Sequence, residues 1–91
     1  MKERRSKLRI LADILKVVEE EGGVGVTKIM CNANLPYDRL TKYLAELVEK
    51  GLLREESKGR GSVYYLTERG SEFLREYRKI EKFAEAFGIK L

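Results

Sequence analysis

The chain has 91 residues, 43% hydrophobic and 37% charged, with a formal net charge of +4. That length suits one compact domain and is too short for two cores with a linker, and the apolar share argues against disorder. No apolar run approaches the roughly 20 residues that cross a bilayer. With no His and a single Cys, Cys31, the chain lacks the residues for an internal disulfide or a thiolate metal site, and Cys31 reads as a small buried hydrophobe.

The charged residues are nearly all Lys, Arg and Glu, Gln is absent and Asn is rare, a bias that resembles thermophile proteins. Lys2, Arg4, Arg5, Lys7 and Arg9 against Glu3 supply the whole net charge. This basic start reads equally as a contact for a polyanion or as a solvated helix end. No signal-peptide apolar region follows it, so the chain is expected in the cytoplasm.

In chain order, Leu8, Leu11, Leu15 and Val18 mark one face of a first helix over 3–21, and Ile10, Ile14 and Val17 an adjoining face. Its apolar surface is wider than a simple surface helix needs, so two bodies are expected against it. The segment 22–25, rich in glycine, breaks the pattern. Val26, Ile29, Met30 and Ala33 predict a short second helix over 26–33, Asn34 and Leu35 a tight connection, and Pro36 the first residue of a third helix over 36–50. Leu40, Tyr43, Leu44, Leu47 and Val48 form its buried stripe, and Gly51 its stop. Residues 52–57 and 62–67 predict two strands around Lys58-Gly59-Arg60-Gly61, hence a β-hairpin. Thr67 is a good N-cap for a fourth helix over 68–87.

Helices two and three, joined by so few residues and followed directly by a hairpin, are a helix-turn-helix candidate with a wing. The outer side of helix three carries Tyr37, Arg39, Thr41 and Lys42 in its N-terminal half and Glu46 and Glu49 in its C-terminal half. That polarity suits entry into a major groove by the N-terminal residues. Lys58 and Arg60 alternate with glycines, as a basic finger or a solvated turn would. Lys28 reads equally as a phosphate contact and as a plain surface lysine.

The stretches KIMCNANLPYDRLTKYLAELVEKGLL (28–53) and YYLTERGSEFLREY (64–77) resemble a known family, the archaeal winged helix-turn-helix DNA-binding proteins of about ten kilodaltons, which include nucleoid-associated proteins and predicted transcription regulators. Cys31 stands where an aromatic is common in that family, and Pro36 where a serine is common. The resemblance implies a mainly α fold with a small β-hairpin, a winged helix-turn-helix over 1–66, and a C-terminal coiled-coil dimerisation helix over 67–91. It implies double-stranded DNA as the partner, an antiparallel homodimer, a chromatin or transcription role, no cofactor and no catalysis. The DNA-contact residues expected from sequence are Arg4, Arg5, Lys7, Lys28, Tyr37, Arg39, Thr41, Lys42, Lys58 and Arg60.

Phe73, Tyr77, Ile80, Ala84 and Phe87 are spaced 4, 3, 4 and 3, an a/d seam over about two heptads. With Ile10, Ile14 and Val17 they are the expected dimer interface. Catalysis is not expected: there is no His, the adjacent Glu residues diverge around their helix or strand, and GGVG lacks the Lys-Ser/Thr ending of a phosphate loop. No membrane contact or small-molecule substrate is expected. The alternative is a winged helix used to bind protein, which apolar side chains rather than cations on the helix-three face would favour.

Overall fold

In the computed structural model, which describes residues 5–91, a helix α1 (Lys7–Glu21) starts where the Ser6 hydroxyl accepts from the Arg9 N–H at 3.1 Å. This cap sets the start later than the expected residue 3. Helix α2 (Val26–Ala33) closes on Asn34, which has φ 55° and donates its N–H to the Met30 carbonyl. Asn is one of the few residues that visit this left-handed region at modest cost. Pro36 is extended (φ −71°, ψ 155°) and caps α3 (Tyr37–Glu49) rather than opening it. Its carbonyl accepts the first helical bond, from Leu40 N–H at 2.9 Å.

Strands β2 (Leu53–Lys58) and β3 (Gly61–Leu66) pair antiparallel, Leu53 opposite Leu66 and Lys58 opposite Gly61. The loop is therefore only Gly59-Arg60, one residue shorter at each end than the predicted tip. Gly59 takes φ +57° and Arg60 does not take positive φ, the pattern of a type II′ hairpin turn. A third strand, β1 (Val24–Gly25), lies on the other side of β3, giving the order β1-β3-β2. Two residues are too short to display a period of two, so this strand left no pattern in the sequence.

The final helix, α4 (Glu68–Ala86), begins at a junction built by Thr67. Its hydroxyl accepts from Gly70 N–H at 3.0 Å and donates to the Gly51 carbonyl at 2.7 Å, tying the end of α3 to the start of α4. Arg69 Nε adds a bond to the Lys50 carbonyl at 3.1 Å.

One core joins all of these elements. Ile14, Leu15, Val18, Ile29, Leu40, Leu44, Leu47, Leu53 and Leu74 are the largest of its fully buried members. The wide apolar face of α1 is covered by α4 and α2 of the same chain. Arg78 reaches Glu19 at 2.9 Å and Lys16 reaches Glu81 at 3.7 Å where α1 and α4 meet. This corrects part of the expected dimer surface: Ile10, Ile14, Val17, Tyr77 and Ala84 are at most 7% exposed within one chain. Cys31 is also corrected, being exposed. Ile29 and Ala33 take the buried side of α2, and two residues of helix turn residue 31 about 200° from Ile29.

Candidate nucleic-acid interface

The buried stripe of α3, Leu40, Leu44 and Leu47, presses its inner face on the core and leaves Tyr37, Asp38, Arg39 and Lys42 outward. Tyr37 is 58% exposed, an unusual exposure for a large ring. The Thr41 hydroxyl donates to the Asp38 carbonyl at 3.1 Å, holding it on the helix surface.

An open hollow of about 760 Å³ lies where α2, α3 and the hairpin meet. Thr27 and Lys28 reach it from α2, Tyr37 and Thr41 from α3, and Arg60 and Ser62 from the hairpin, while Tyr64 lies beneath. Burial, with the charge of Glu55 adding to it, pushes the Tyr64 phenol above its ordinary value. Glu55 itself accepts from the Ser62 hydroxyl at 2.6 Å. The tertiary fold thus gathers four of the expected residues, Lys28, Tyr37, Thr41 and Arg60, around one concavity. Arg39 and Lys42 line a separate groove of α3 with Tyr43 and Glu46.

Charge pairing separates the expected cations into two groups. Among the described residues, Arg39, Lys42 and Arg60 have no carboxylate within ion-pairing distance. Glu46, which shares the α3 groove with Arg39 and Lys42, is instead held by Lys7 at 3.0 Å and Lys50 at 3.7 Å. The Lys7 hydrogen bond is the main cause of a Glu46 pKa below the ordinary glutamate range. Lys28 stands 3.9 Å from Glu21 and Lys58 4.0 Å from Glu56, loose pairs of exposed groups that cost little to open.

Arg5 is corrected. Its guanidinium is spent inside the fold, on Asp13 at 2.9 Å, the Ala33 carbonyl at 2.8 Å and the Asn34 carbonyl at 2.9 Å. It caps the C-terminal end of α2, where a cation is favoured by the helix dipole. Arg4 lies outside the described residues. Thr27 and Ser62 were not singled out from sequence, although Thr27 sits in the first turn of a short helix, where a hydroxyl near free N–H groups suits an anion.

Apart from Tyr37, the large exposed apolar side chains lie elsewhere: Leu8 on α1, Ile80, Phe83 and Phe87 at α4, and Ile89 beyond it. Phe83 and Phe87 pack with their rings tilted by 53° at 5.1 Å between centroids. Leu8, Leu52, Phe73, Tyr77 and Ile80 line a separate groove of about 620 Å³. Phe83 falls outside the a/d spacing, which is why the seam did not include it.

No curated protein sequence matches the chain. Among solved structures, it is similar to Sso10a-2, a DNA-binding protein from Sulfolobus solfataricus, with TM-score 0.84 and 28% identity over 91% of this chain and 85% of that one. It is also similar to hsRosR-S1, with TM-score 0.72 and 25% identity over 90% of this chain and 80% of that one. A MarR-family transcriptional regulator from Silicibacter pomeroyi shares the fold at TM-score 0.74 and 21% identity, over 87% of this chain and 56% of that longer one. No helix is long and apolar enough to cross a membrane among the described residues. A family model of the winged helix-turn-helix matches residues 4–85, and the chain belongs to that family.

Proposed function

We propose that this protein binds double-stranded DNA as a homodimer, as a transcription regulator or nucleoid-associated protein, with α3 in the major groove and the Gly59-Arg60 tip as the wing. The observation that carries this reading is a set of cations unpaired among the described residues, Arg39 and Lys42 on the outer surface of α3 and Arg60 at the hollow that α3 shares with the hairpin. Charges without protein partners are the ones that gain most from phosphate. Lys28, Tyr37 and Thr41 add hydrogen-bonding groups at the same hollow, Lys58 an exposed cation beside it, and Lys7 a cation at the C-terminal half of α3. Among the described residues, the large exposed apolar side chains other than Tyr37 sit on α1, α4 and the tail, and a single ring on α3 weighs little for a protein partner at that face.

The dimer reading draws on the same distribution. Ile80, Phe83 and Phe87 are exposed along α4, and Leu8 and Phe73 border the groove beside them. The revised interface therefore keeps Phe73, Ile80 and Phe87 and adds Leu8 and Phe83. Titration with specific and random duplexes across salt tests the DNA reading: log affinity should fall with log salt by about 0.9 for each phosphate neutralised. Affinity indifferent to salt, or no binding at low salt, refutes it.

A further inference from the structure

We propose that Arg75, Arg78, Lys79 and Lys82 form a second phosphate-contacting surface, which takes the backbone of a duplex segment other than the one under α3 and the wing. At 100° per residue these four positions fall within an arc of about 100° on α4, and they extend about 10 Å along its axis. Helix α4 as a whole carries five acidic and five basic residues. The concentration of cations is therefore a matter of arrangement and not of composition.

These side chains border a hollow of about 390 Å³ with Ser71 and, from α1, Glu19. Four cations thus face one carboxylate, and Glu19 is taken by Arg78 at 2.9 Å. Lys79 pairs with Glu76 at 3.1 Å, but both side chains are more than 60% exposed, a pairing of little strength. Arg75 and Lys82 are exposed and have no carboxylate within ion-pairing distance among the described residues.

The partner chemistry follows from what shares the arc. A helix that lies on a bilayer places bulky apolar side chains among its basic ones. Here the other α4 positions on the arc, Glu68 and Ser71 before the cations and Ala86 after them, carry no bulky apolar side chain, and the site is concave. A charged ridge fits such a hollow, and duplex DNA presents one charge per roughly 1.7 Å of axis. The hollow includes no residue of α2, α3 or the hairpin, so it serves a different segment of nucleic acid. Phosphate binding on α4 is thus independent of what α3 binds.

The test uses the full chain and a random-sequence duplex at low salt, followed by fluorescence anisotropy, with circular dichroism confirming the fold of each variant. Arg39→Ala/Lys42→Ala/Arg60→Ala should retain weakened binding, and adding Arg75→Gln/Lys82→Gln should lower the residual affinity at least tenfold. Alone, Arg75→Gln/Lys82→Gln should reduce the salt slope by about 2 for each protomer whose stripe contacts the duplex, because two fewer phosphates are neutralised per protomer. No residual binding in the triple variant, or residual binding that the glutamines leave unchanged, overturns the proposal. So does a loss seen only on phosphatidylserine vesicles, which would make the stripe a membrane contact. If instead the triple variant binds like wild type while the glutamines abolish binding, the stripe stands and the α3 reading fails.

Discussion

A Cβ placed on Gly70 would stand 2.2 Å from the carbonyl oxygen of Leu52 and 2.7 Å from Leu66 Cδ1. The first turn of α4 thus lies directly on the backbone leading into β2, and only a glycine permits that approach. Gly70→Ala should destabilise the protein by about 1–3 kcal/mol through overpacking, against a helix-propensity gain of about 1 kcal/mol. The urea midpoint measures the balance; a raised midpoint would mean that α4 can move away at no cost.

Arg39→Ala and Lys42→Ala should weaken duplex binding while changing stability by less than about 0.5 kcal/mol, because both side chains lie off the buried stripe and are unpaired among the described residues. Leu44, 1% exposed, should behave in the opposite way, with Leu44→Ala costing about 2–5 kcal/mol. Paired melting and binding titrations separate the two. Normal binding by both surface variants would remove α3 as the recognition helix.

Arg5→Ala should lower stability by about 1–2 kcal/mol, since it deletes charge-assisted bonds to two carbonyls at the end of α2 in a partly exposed setting. The salt slope of duplex binding should not change. A changed slope with unaltered melting would return Arg5 to the DNA-contact set.

Ile80→Glu introduces a charge among the exposed apolar side chains of α4, where Ile80 is 47% exposed. Sedimentation should show monomers with weaker duplex affinity and an unchanged fold. Wild-type protein that sediments as a monomer at tens of micromolar would eliminate the dimer and leave the fold untouched.

The ion pair of Lys7 with Glu46 links the start of α1 to α3 and makes a prediction about pH. Because the Glu46 pKa is lowered on folding, its contribution is present above the ordinary glutamate value of 4.5 and is lost as pH falls through the lower, folded value. In Glu46→Gln the stability should decline less steeply through that acid range. Equal acid sensitivity of the two proteins would show that the pair does not contribute. Glu46 is solvent-facing, so the effect should be small and weaken with added salt.

The sequence alone determined the succession of helices and the hairpin, because apolar spacing and caps are local signals. Val26–Ala33 was legible to the residue from Ile29 and Ala33 together with Asn34, and Thr67 marked the start of α4. The polar, N-terminally basic outer side of α3 was legible in the same way. Three features depended on partners distant in the chain and could be decided only in three dimensions. Strand β1 exists because β3 presents an edge to Val24 and Gly25. Arg5 is a cap because folding brings it to Ala33 and Asn34, 28 and 29 residues away. The apolar width of α1 required a cover, but spacing cannot say which chain provides it. Only the return of α4 across α1, fastened by Arg78 to Glu19 over 59 residues, assigned Ile10, Ile14 and Val17 to the chain's own core.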